Sequence, residues 1–512
     1  MPSYHGAEVF ELSGFRPAQG VADLATTTVA ALAPADWQLS ICDEYISPVD
    51  FENDAAFVGI TGKVTQVQRM LELADEFRGR GKCVIIGGSC ASLSPELFRG
   101  RCDVLVVGEL EGIASAFFAD LEQGTWKNEY VAEKPDLATT PIPRWDLYPT
   151  DRALAGCLQT SRGCPFECEF CDVIQYVGRK QRHKPLGQVL AELDVLYDHG
   201  FRRVFLADDN FTVYRRRAKE VLIGLRDWNR ARPGRSVSFD TQVSIDAARD
   251  PELVELCAEA GIVTVFIGIE TPNQDSLRET KKRQNVGIDL IQQVQVFLQC
   301  GISVMGGMIV GFDHDDQDIF ERQYEFAMAS PIPLFTLGAL VAPAATPLFA
   351  RMKEEGRLIA GGPEVASSPF DTNMVPLRMT RIEMLEGLHW LWKQLYHPDN
   401  FARRVLRMID CLGPVRGPRG AELKLARVPR AIETEAHMVI QKLRDSGSSE
   451  HRMVATIIRA MREKPNSRRQ VTEALYRYAQ TRCLHNSGSA FDLPPQTRGS
   501  FVQLTSGETA QG

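Results

Sequence analysis

The sequence lacks the features that would mark a membrane or secreted protein. No stretch approaches the roughly 18 uncharged apolar residues of a membrane-spanning helix. The nearest candidate, 335–350, is interrupted by Pro343 and Pro347. The first 15 residues carry Glu8 and Glu11 and show no basic segment followed by an apolar one, so no secretory signal is indicated. We therefore expect a cytoplasmic protein whose thiols stay reduced.

An excess of positive charge is also missing. The 58 Lys and Arg residues are outnumbered by 66 Asp and Glu residues, and the formal net charge of −8 disfavours a dedicated duplex-DNA binder. Cysteine is too sparse for a disulfide framework, at 12 in 512 residues. Nine of the cysteines are scattered, whereas Cys164, Cys168 and Cys171 lie close together.

Near-continuous apolar segments alternate with amphipathic ones in residues 1–140. Segments 56–61, 83–87 and 103–108 are candidate strands, and 65–80 has the apolar spacing of a helix. This alternation predicts an α/β domain with a parallel, doubly wound (Rossmann-like) sheet. Glycines follow the candidate strands, at the edge where such sheets bind ligands.

The alternation resumes after a proline-rich linker at 141–151 and predicts a partial βα barrel over 152–350. The predicted strands cover 157–161, 203–207, 236–242, 264–269, 303–310 and 335–340. The predicted helices between them cover 186–199, 215–228, 251–260 and 287–300.

The C-terminal part of the chain reads mostly as helix. We predict a helical domain at 351–483, followed by a disordered tail at 484–512 that is rich in Ser, Gly, Thr and Gln. Within the helical domain, residues 401–430 hold eight Lys or Arg residues against two acidic ones. This basic segment leaves an RNA substrate open, although a solvated helix face is the more common origin of such charge.

The three clustered cysteines directly follow a predicted strand, with the spacing Cys-x3-Cys-x2-Cys. Thiolates this close can converge on one metal centre from a single loop. Zinc normally takes four N or S ligands, usually from two separated pairs. Three thiolates without a partner histidine better suit a four-iron cluster that leaves one iron open. Zinc and incidental buried cysteines remain the alternatives.

This cysteine motif resembles the signature of radical S-adenosylmethionine (SAM) enzymes. The resemblance implies that Cys164, Cys168 and Cys171 hold a [4Fe-4S] cluster whose fourth iron binds the amino and carboxylate groups of SAM. Phe170 resembles the aromatic residue that packs near the adenine of SAM. Motifs at later strand ends, in barrel order, imply further SAM contacts at Asp208, Asp209, Asn210, Gly268, Glu270, Thr271, Gly307, Ile309 and Gly311.

Each of these later motifs also has a structural interpretation. Asp208 and Asp209 could cap a helix, Gly268 and Gly311 could serve turns, and Glu270 could be a solvated charge. The functional interpretation is favoured because all the motifs follow the cysteines in barrel order.

Residues 1–140 resemble the cobalamin-binding-type domain that precedes the barrel in one radical SAM subclass. That subclass includes hopanoid C-2 methylases and carries a helical C-terminal extension. The residues that carry the resemblance are Thr61, Gly62, Gly87, Gly88, Cys90 and Glu109. The Asp-x-His-x-x-Gly loop of many cobalamin proteins is absent, and the first strand is weak. The domain is therefore either a cobalamin site or a retained scaffold.

The resemblance implies an enzyme that receives one electron from a flavodoxin or ferredoxin and cleaves SAM to give a carbon radical. We expect methyl transfer to a small molecule in natural product or lipid biosynthesis. Alternatives are transfer of the 3-amino-3-carboxypropyl group of SAM to an acceptor such as an arsenical, cobalamin-independent radical chemistry, and RNA modification. An electron-transfer protein that holds a cluster without SAM is less consistent with the later motifs.

Overall fold

The computed structural model describes residues 7, 9–232, 236–359, 371–414, 417 and 430–484. Most of the predicted tail at 484–512 and much of the basic segment 401–430 lie outside these residues. The described strands are β1 (Gln19–Val21), β2 (Phe57–Thr61), β3 (Cys83–Gly87), β4 (Val104–Val107), β5 (Glu129–Val131), β6 (Ala153–Leu158), β7 (Ser161–Arg162), β8 (Arg182–His183), β9 (Arg203–Leu206), β10 (Ser238–Gln242), β11 (Ile262–Glu270), β12 (Ser303–Val310) and β13 (Leu334–Ala339).

Helices connect the strands of both sheets and form the C-terminal region. They are α1 (Val9–Leu12), α2 (Leu24–Leu32), α3 (Val67–Gly79), α4 (Ser89–Leu93), α5 (Ala114–Gln123), α6 (Val173–Tyr176), α7 (Leu186–Asp198), α8 (Arg215–Ala231), α9 (Pro251–Ala260), α10 (Gln274–Glu279), α11 (Leu290–Gln299), α12 (Ile319–Ala329), α13 (Pro347–Glu354), α14 (Arg381–Leu395), α15 (Pro398–Cys411), α16 (Ala431–Arg444), α17 (Ser448–Glu463) and α18 (Arg468–Leu484). Within the described ranges, no helix combines the length and apolar character needed to cross a membrane.

The N-terminal sheet is parallel and has the strand order β2-β3-β4-β5. Separate apolar clusters cover its two faces, one around Ile86 and Phe77 and the other around Val106 and Phe117. Burial on both faces explains why these strands read as continuous apolar runs. The predicted α/β doubly wound domain is confirmed as a fold type.

The central sheet contains all six predicted barrel strands in sequential parallel order, β6-β9-β10-β11-β12-β13. Strand β6 starts four residues earlier than predicted and ends at Leu158, because the chain then turns into the short antiparallel pair β7 and β8. Strand β1 adds to the outer edge of β6, where Gln19 pairs with Ala153. Residues 19–21 thus join the central sheet, although they lie within the predicted N-terminal domain 1–140. The other predicted domain boundaries stay a prediction.

The C-terminal helices close the barrel at the amino-terminal ends of its strands. Arg203, at the start of β9, pairs with Asp240 of β10 and with Glu473 of α18. Arg404 of α15 is buried and donates to the Pro333 carbonyl just before β13. These contacts leave the carboxyl ends of the strands as the end where loops can form a site.

Candidate functional site

The cysteines lie in a loop whose two stems are β7 and β8. Arg162 pairs with Arg182 across this short ribbon, and the loop runs between them. Gly163 has φ +108°, and a Cβ there would come within 2.6 Å of the Lys180 carbonyl oxygen. Only glycine therefore permits the turn that leads into Cys164. We call residues 163–181 the cysteine loop.

The three thiols are screened from water. Cys168 is buried, and Cys164 and Cys171 are partly buried. Burial raises the pKa of Cys164 and raises that of Cys171 to about 12, with a further contribution from neighbouring charges. Such thiols ionise only when a metal or a cation holds the thiolate charge. Their donor chemistry therefore fits an iron–sulfur cluster.

In the described part of the chain, no three His, Cys, Asp or Glu side chains converge closely enough to hold a single metal ion. A four-iron cluster makes a different demand, because each thiolate binds its own iron. The predicted [4Fe-4S] ligands Cys164, Cys168 and Cys171 lie in one loop, which is compatible with this demand.

A buried ion pair faces the cysteine loop from the end of β11. Glu270 has φ +62° and accepts a hydrogen bond from Lys282 Nζ at 2.7 Å. The Lys282 charge acts on Cys164, Cys168 and Cys171 alike. Burial opposes this charge, but Glu270 and the cysteines outweigh it and raise the pKa of Lys282. Glu270 is therefore paired, not a solvated charge.

Gln284 is a further neighbour of the thiols. Its Nε2 donates to Cys168 Sγ at 3.7 Å. Neither Lys282 nor Gln284 was singled out from the sequence, because both lie in an irregular segment without periodic spacing. The one sequence feature that could have indicated them is that they follow Glu270, at the carboxyl end of a predicted barrel strand.

The acidic motif after β9 supports the stem of the cysteine loop. Asp208 is fully buried and accepts from Thr160 Oγ1 at 2.8 Å and from Ser161 Oγ. Burial raises the pKa of Asp208 to about 6. Asp209 accepts from the Gly163 backbone N–H at 2.7 Å. These two carboxylates hold the loop and do not cap α8, and SAM contact by Asp208, Asp209 and Asn210 stays a prediction.

The third residue of that motif, Asn210, has one side-chain atom without a partner. Its Nδ2 donates to Ser244 Oγ, whereas its buried Oδ1 has no hydrogen-bond partner among the described residues. An unpaired buried acceptor is costly, so Oδ1 is available for a ligand donor.

An apolar cluster includes Phe170 of the cysteine loop. Phe170 and Phe312 have ring centroids 6.0 Å apart, and Ile309 packs in the same cluster. Gly311 has φ +105°, and a Cβ there would come within 2.4 Å of Met384 Sδ. The predicted SAM contacts Phe170 and Ile309 thus lie in one cluster with the unpredicted Phe312, and Gly311 packs beside Leu340 of the same cluster.

The remaining predicted contacts, Gly268, Thr271 and Gly307, lie on the neighbouring strands and the loop after β11. A Cβ at Gly268 would meet Glu270 Oε1 at 2.2 Å and Lys282 Nζ at 2.9 Å, so this glycine makes room for the ion pair. A Cβ at Gly307 would meet the Phe266 ring at 2.9 Å. Thr271 is fully buried.

Arg351 of α13 ties the cysteine loop to the strand ends. It contacts Glu169 at 2.8 Å, Glu279 at 3.1 Å and also Asp313. Burial and the nearby Asp313 raise the pKa of Glu279 to about 7. Burial also acts on Asp313, but Arg357 and Arg351 outweigh it and lower its pKa to about 2.

The N-terminal loops reach the same region and are fully engaged by protein contacts. Glu109 accepts from Arg182 Nη1 at 3.1 Å and also from Arg162, while Glu111 contacts Arg162 at 2.7 Å. Cys90 is 2% exposed, and burial raises its pKa to about 11.

The glycines of the same loops leave little open space. A Cβ at Gly88 would meet Thr61 Oγ1 at 2.4 Å, one at Gly62 would meet Met70 Sδ at 2.8 Å, and one at Gly87 would meet Val106 Cβ at 3.5 Å. Side chains would therefore not fit at Gly62 or Gly88 without a shift of their neighbours, and cobalamin binding by these loops stays a prediction.

Comparison with known proteins agrees with this geometry. Residues 158–327 match the radical SAM superfamily, and residues 346–476 match a domain of unknown function, DUF4070. An uncharacterized methyltransferase of Synechocystis sp. is 38% identical over 397 residues, which are 76% of this chain and 73% of that protein. The hopanoid C-2 methylase of Rhodopseudomonas palustris is 32% identical over 68% of this chain and 66% of its own length.

Solved structures share the fold at low identity. The cobalamin-dependent SAM radical enzyme OxsB, with aqua-cobalamin and SAM bound, superposes with a TM-score of 0.56 and 16% identity over 92% of this chain and 77% of OxsB. The radical SAM methyltransferase TsrM from Kitasatospora setae, with cobalamin and a [4Fe-4S] cluster bound, superposes with a TM-score of 0.52 and 16% identity over 81% of this chain and 89% of TsrM. With the cysteine loop, the barrel order and the sequence relatives in agreement, this chain belongs to the radical SAM superfamily of enzymes.

Proposed function

We propose that this enzyme methylates a small molecule by SAM-dependent radical chemistry. The support is the relationship to two methyltransferases at 38% and 32% identity, over about two thirds or more of this chain. The observation that carries the proposal is the cysteine loop itself, whose buried and partly buried thiols lie near the Lys282–Glu270 ion pair and the apolar cluster around Phe170 and Phe312.

The chain supplies binding, orientation and exclusion of water. Cys164, Cys168 and Cys171 hold the cluster, which supplies the electron that breaks a C–S bond of SAM. Phe170 and Ile309 offer apolar surface for adenine. The C-terminal helices cover the opposite end of the barrel, so solvent and substrate do not enter from that end.

A second candidate is radical chemistry that uses another fragment of SAM, without cobalamin. The tight packing at Gly88 and the paired state of Glu109 favour it, because these N-terminal loops are engaged within the protein. The two candidates differ in the SAM product, so one experiment separates them.

Two further features belong to this proposal. A flavodoxin or ferredoxin would deliver the electron, and a cytoplasmic setting would keep the thiols reduced. Neither a nucleic acid nor a membrane is part of the proposed reaction.

The test is anaerobic reconstitution with iron and sulfide, followed by SAM and dithionite with a small-molecule extract as acceptor. Methyl-labelled SAM should give S-adenosylhomocysteine together with a labelled small molecule, and a second SAM that supplies the radical should give 5′-deoxyadenosine and labelled methionine. Methylthioadenosine with an unlabelled adduct would instead establish transfer of the aminocarboxypropyl group. Added hydroxocobalamin should increase the yield of methylated product under the first candidate and leave the products unchanged under the second. Failure to consume SAM would refute both candidates.

A further inference from the structure

We propose that Lys282 and Gln284 tune the cluster, so that together they raise its reduction potential. This inference rests on the proposed cluster site and deepens it. Both residues belong to the segment 280–285, which follows α10 and returns to the cysteine loop.

Backbone and side-chain contacts fix this segment on two sides. The Glu169 backbone N–H donates to the Thr280 carbonyl at 3.0 Å, which joins the segment to the cysteine loop. Asn285 Nδ2 donates to the carbonyls of Gly268 and Ile269 at 2.9 and 3.0 Å, which joins it to β11. Residues held at both ends can keep fixed dipoles and charges near the thiols.

Gln284 is the side chain in hydrogen-bond contact with a cysteine sulfur. Its amide N–H points to Cys168 Sγ at 3.7 Å, and its Oε1 is buried without a partner among the described residues. A donor to a ligating sulfur stabilises the more negative, reduced state of a cluster and so raises its potential.

Lys282 contributes a full positive charge in the same region. Glu270 holds its ammonium group in place at 2.7 Å, and Lys282 lies two residues before Gln284, whose amide contacts Cys168 Sγ. A fixed charge in a region shielded from water acts more strongly than one at the surface.

Two carboxylates oppose this effect. Asp209 lies beside Cys164, since it accepts from the Gly163 backbone N–H at 2.7 Å, and Asp172 directly follows Cys171 in the chain. Lys282 offsets them from the β11 side. We therefore expect a lower reduction potential when the ammonium group is removed.

The experiment is an EPR-monitored redox titration of the reconstituted cluster without SAM, with dithionite supplying one electron per cluster. Lys282→Met should lower the equilibrium constant for reduction about tenfold, which corresponds to about 59 mV for a one-electron couple. Gln284→Leu should shift it in the same direction by less. Lys282→Arg, which keeps the charge, and Lys281→Met, which removes an exposed neighbouring charge, should leave it unchanged.

Iron and sulfide per chain are measured for every variant, so that loss of the cluster is not mistaken for a shift. If Lys282→Met leaves Glu270 unpaired and prevents folding, the double variant Lys282→Met/Glu270→Gln removes the whole pair. Unchanged potentials in Lys282→Met and Gln284→Leu, with weaker SAM binding alone, would overturn the inference and make Lys282 a SAM ligand. Absence of a cluster in the unaltered enzyme would instead refute the proposed function.

Discussion

The two parallel sheets both end in loops near the cysteine loop, but they use those loops differently. The N-terminal loops bring Glu109 and Glu111 into ion pairs with Arg162 and Arg182, and their glycines pack against protein atoms. The central loops instead carry thiols that burial keeps from ionising alone, and an unpaired buried acceptor at Asn210.

The difference shows that one architecture can serve as scaffold or as site. A polar loop whose charged groups are already in ion pairs has few groups left to bind a ligand. A buried hydrogen-bond acceptor without a partner, by contrast, gains one when a ligand binds. The N-terminal domain thus holds the stem of the cysteine loop through Glu109 and Glu111, whereas the predicted cluster ligands belong to the barrel.

The largest expected effect comes from replacing cysteines in the loops of the two sheets. Cys164→Ala, Cys168→Ala or Cys171→Ala should abolish the visible absorbance of the cluster and all SAM cleavage, because three thiolates are needed to hold it. Cys90→Ala, in the N-terminal loop, should retain both. Full activity in any of the first three variants would break the comparison.

A second prediction tests the contacts of Glu109 with the stem of the cysteine loop. Glu109→Gln should remove the carboxylate partner of Arg182 and one of the two partners of Arg162, at a cost of about 3–5 kcal/mol in the free energy of unfolding. Chemical denaturation measures the free energy of unfolding, and iron retention over time shows whether the cysteine loop still holds its cluster. Glu44→Gln, which breaks the exposed pair with Arg69, should cost about 1 kcal/mol or less. Equal stability of the two variants would contradict this role of Glu109.

A third prediction concerns the apolar cluster around Phe170. Phe170→Ala should weaken SAM binding about tenfold, because a lost aromatic contact costs roughly 1 kcal/mol beyond its buried area. The iron content should stay unchanged, since Phe170 holds no iron. Equilibrium binding of SAM to the reconstituted cluster gives the answer, and unchanged affinity would place the adenine elsewhere.

The smallest expected effect is on the pH dependence of stability, to which Glu279 near the barrel and Glu111 in the N-terminal domain contribute with opposite sign. The pKa of Glu279 is raised to about 7, so its native form holds more protons and its contribution to stability falls as pH rises from about 4.5 to 7. Although burial raises the pKa of Glu111, Arg162 lowers it overall. Its contribution is present above about 4.5 and is lost as pH falls through the lowered pKa.

These signs can be checked by thermal unfolding of the cluster-free chain between pH 4 and 8. Glu279→Gln should flatten the decline of the unfolding midpoint toward pH 7, while Glu111→Gln should lower the midpoint most at neutral pH. The same pH profile in both variants would show that the two carboxylates do not differ in environment.

Much of the fold follows from local pattern. The strand at 303–310 and the helix at 251–260 match β12 and α9, because buried parallel strands and amphipathic helices each carry their own periodicity. The cysteine motif was likewise visible, since its spacing depends on a single loop.

The contacts that shape the site were not visible in this way. Lys282 and Gln284 become neighbours of the thiols, and Glu109 a neighbour of Arg162, only when distant segments fold together. None of these residues belongs to an element long enough to show periodic spacing. The joining of β1 to β6 was missed for the same reason, because a three-residue strand has too few residues to show alternation.

The most direct test of the central claim is the EPR spectrum of the anaerobically purified, reduced enzyme before and after addition of SAM, with iron and zinc measured in the same sample. We predict close to four irons per chain and a spectrum that changes when SAM occupies the iron left open by Cys164, Cys168 and Cys171. Bound zinc, or a cluster signal that stays the same with SAM, would contradict the assignment of this site.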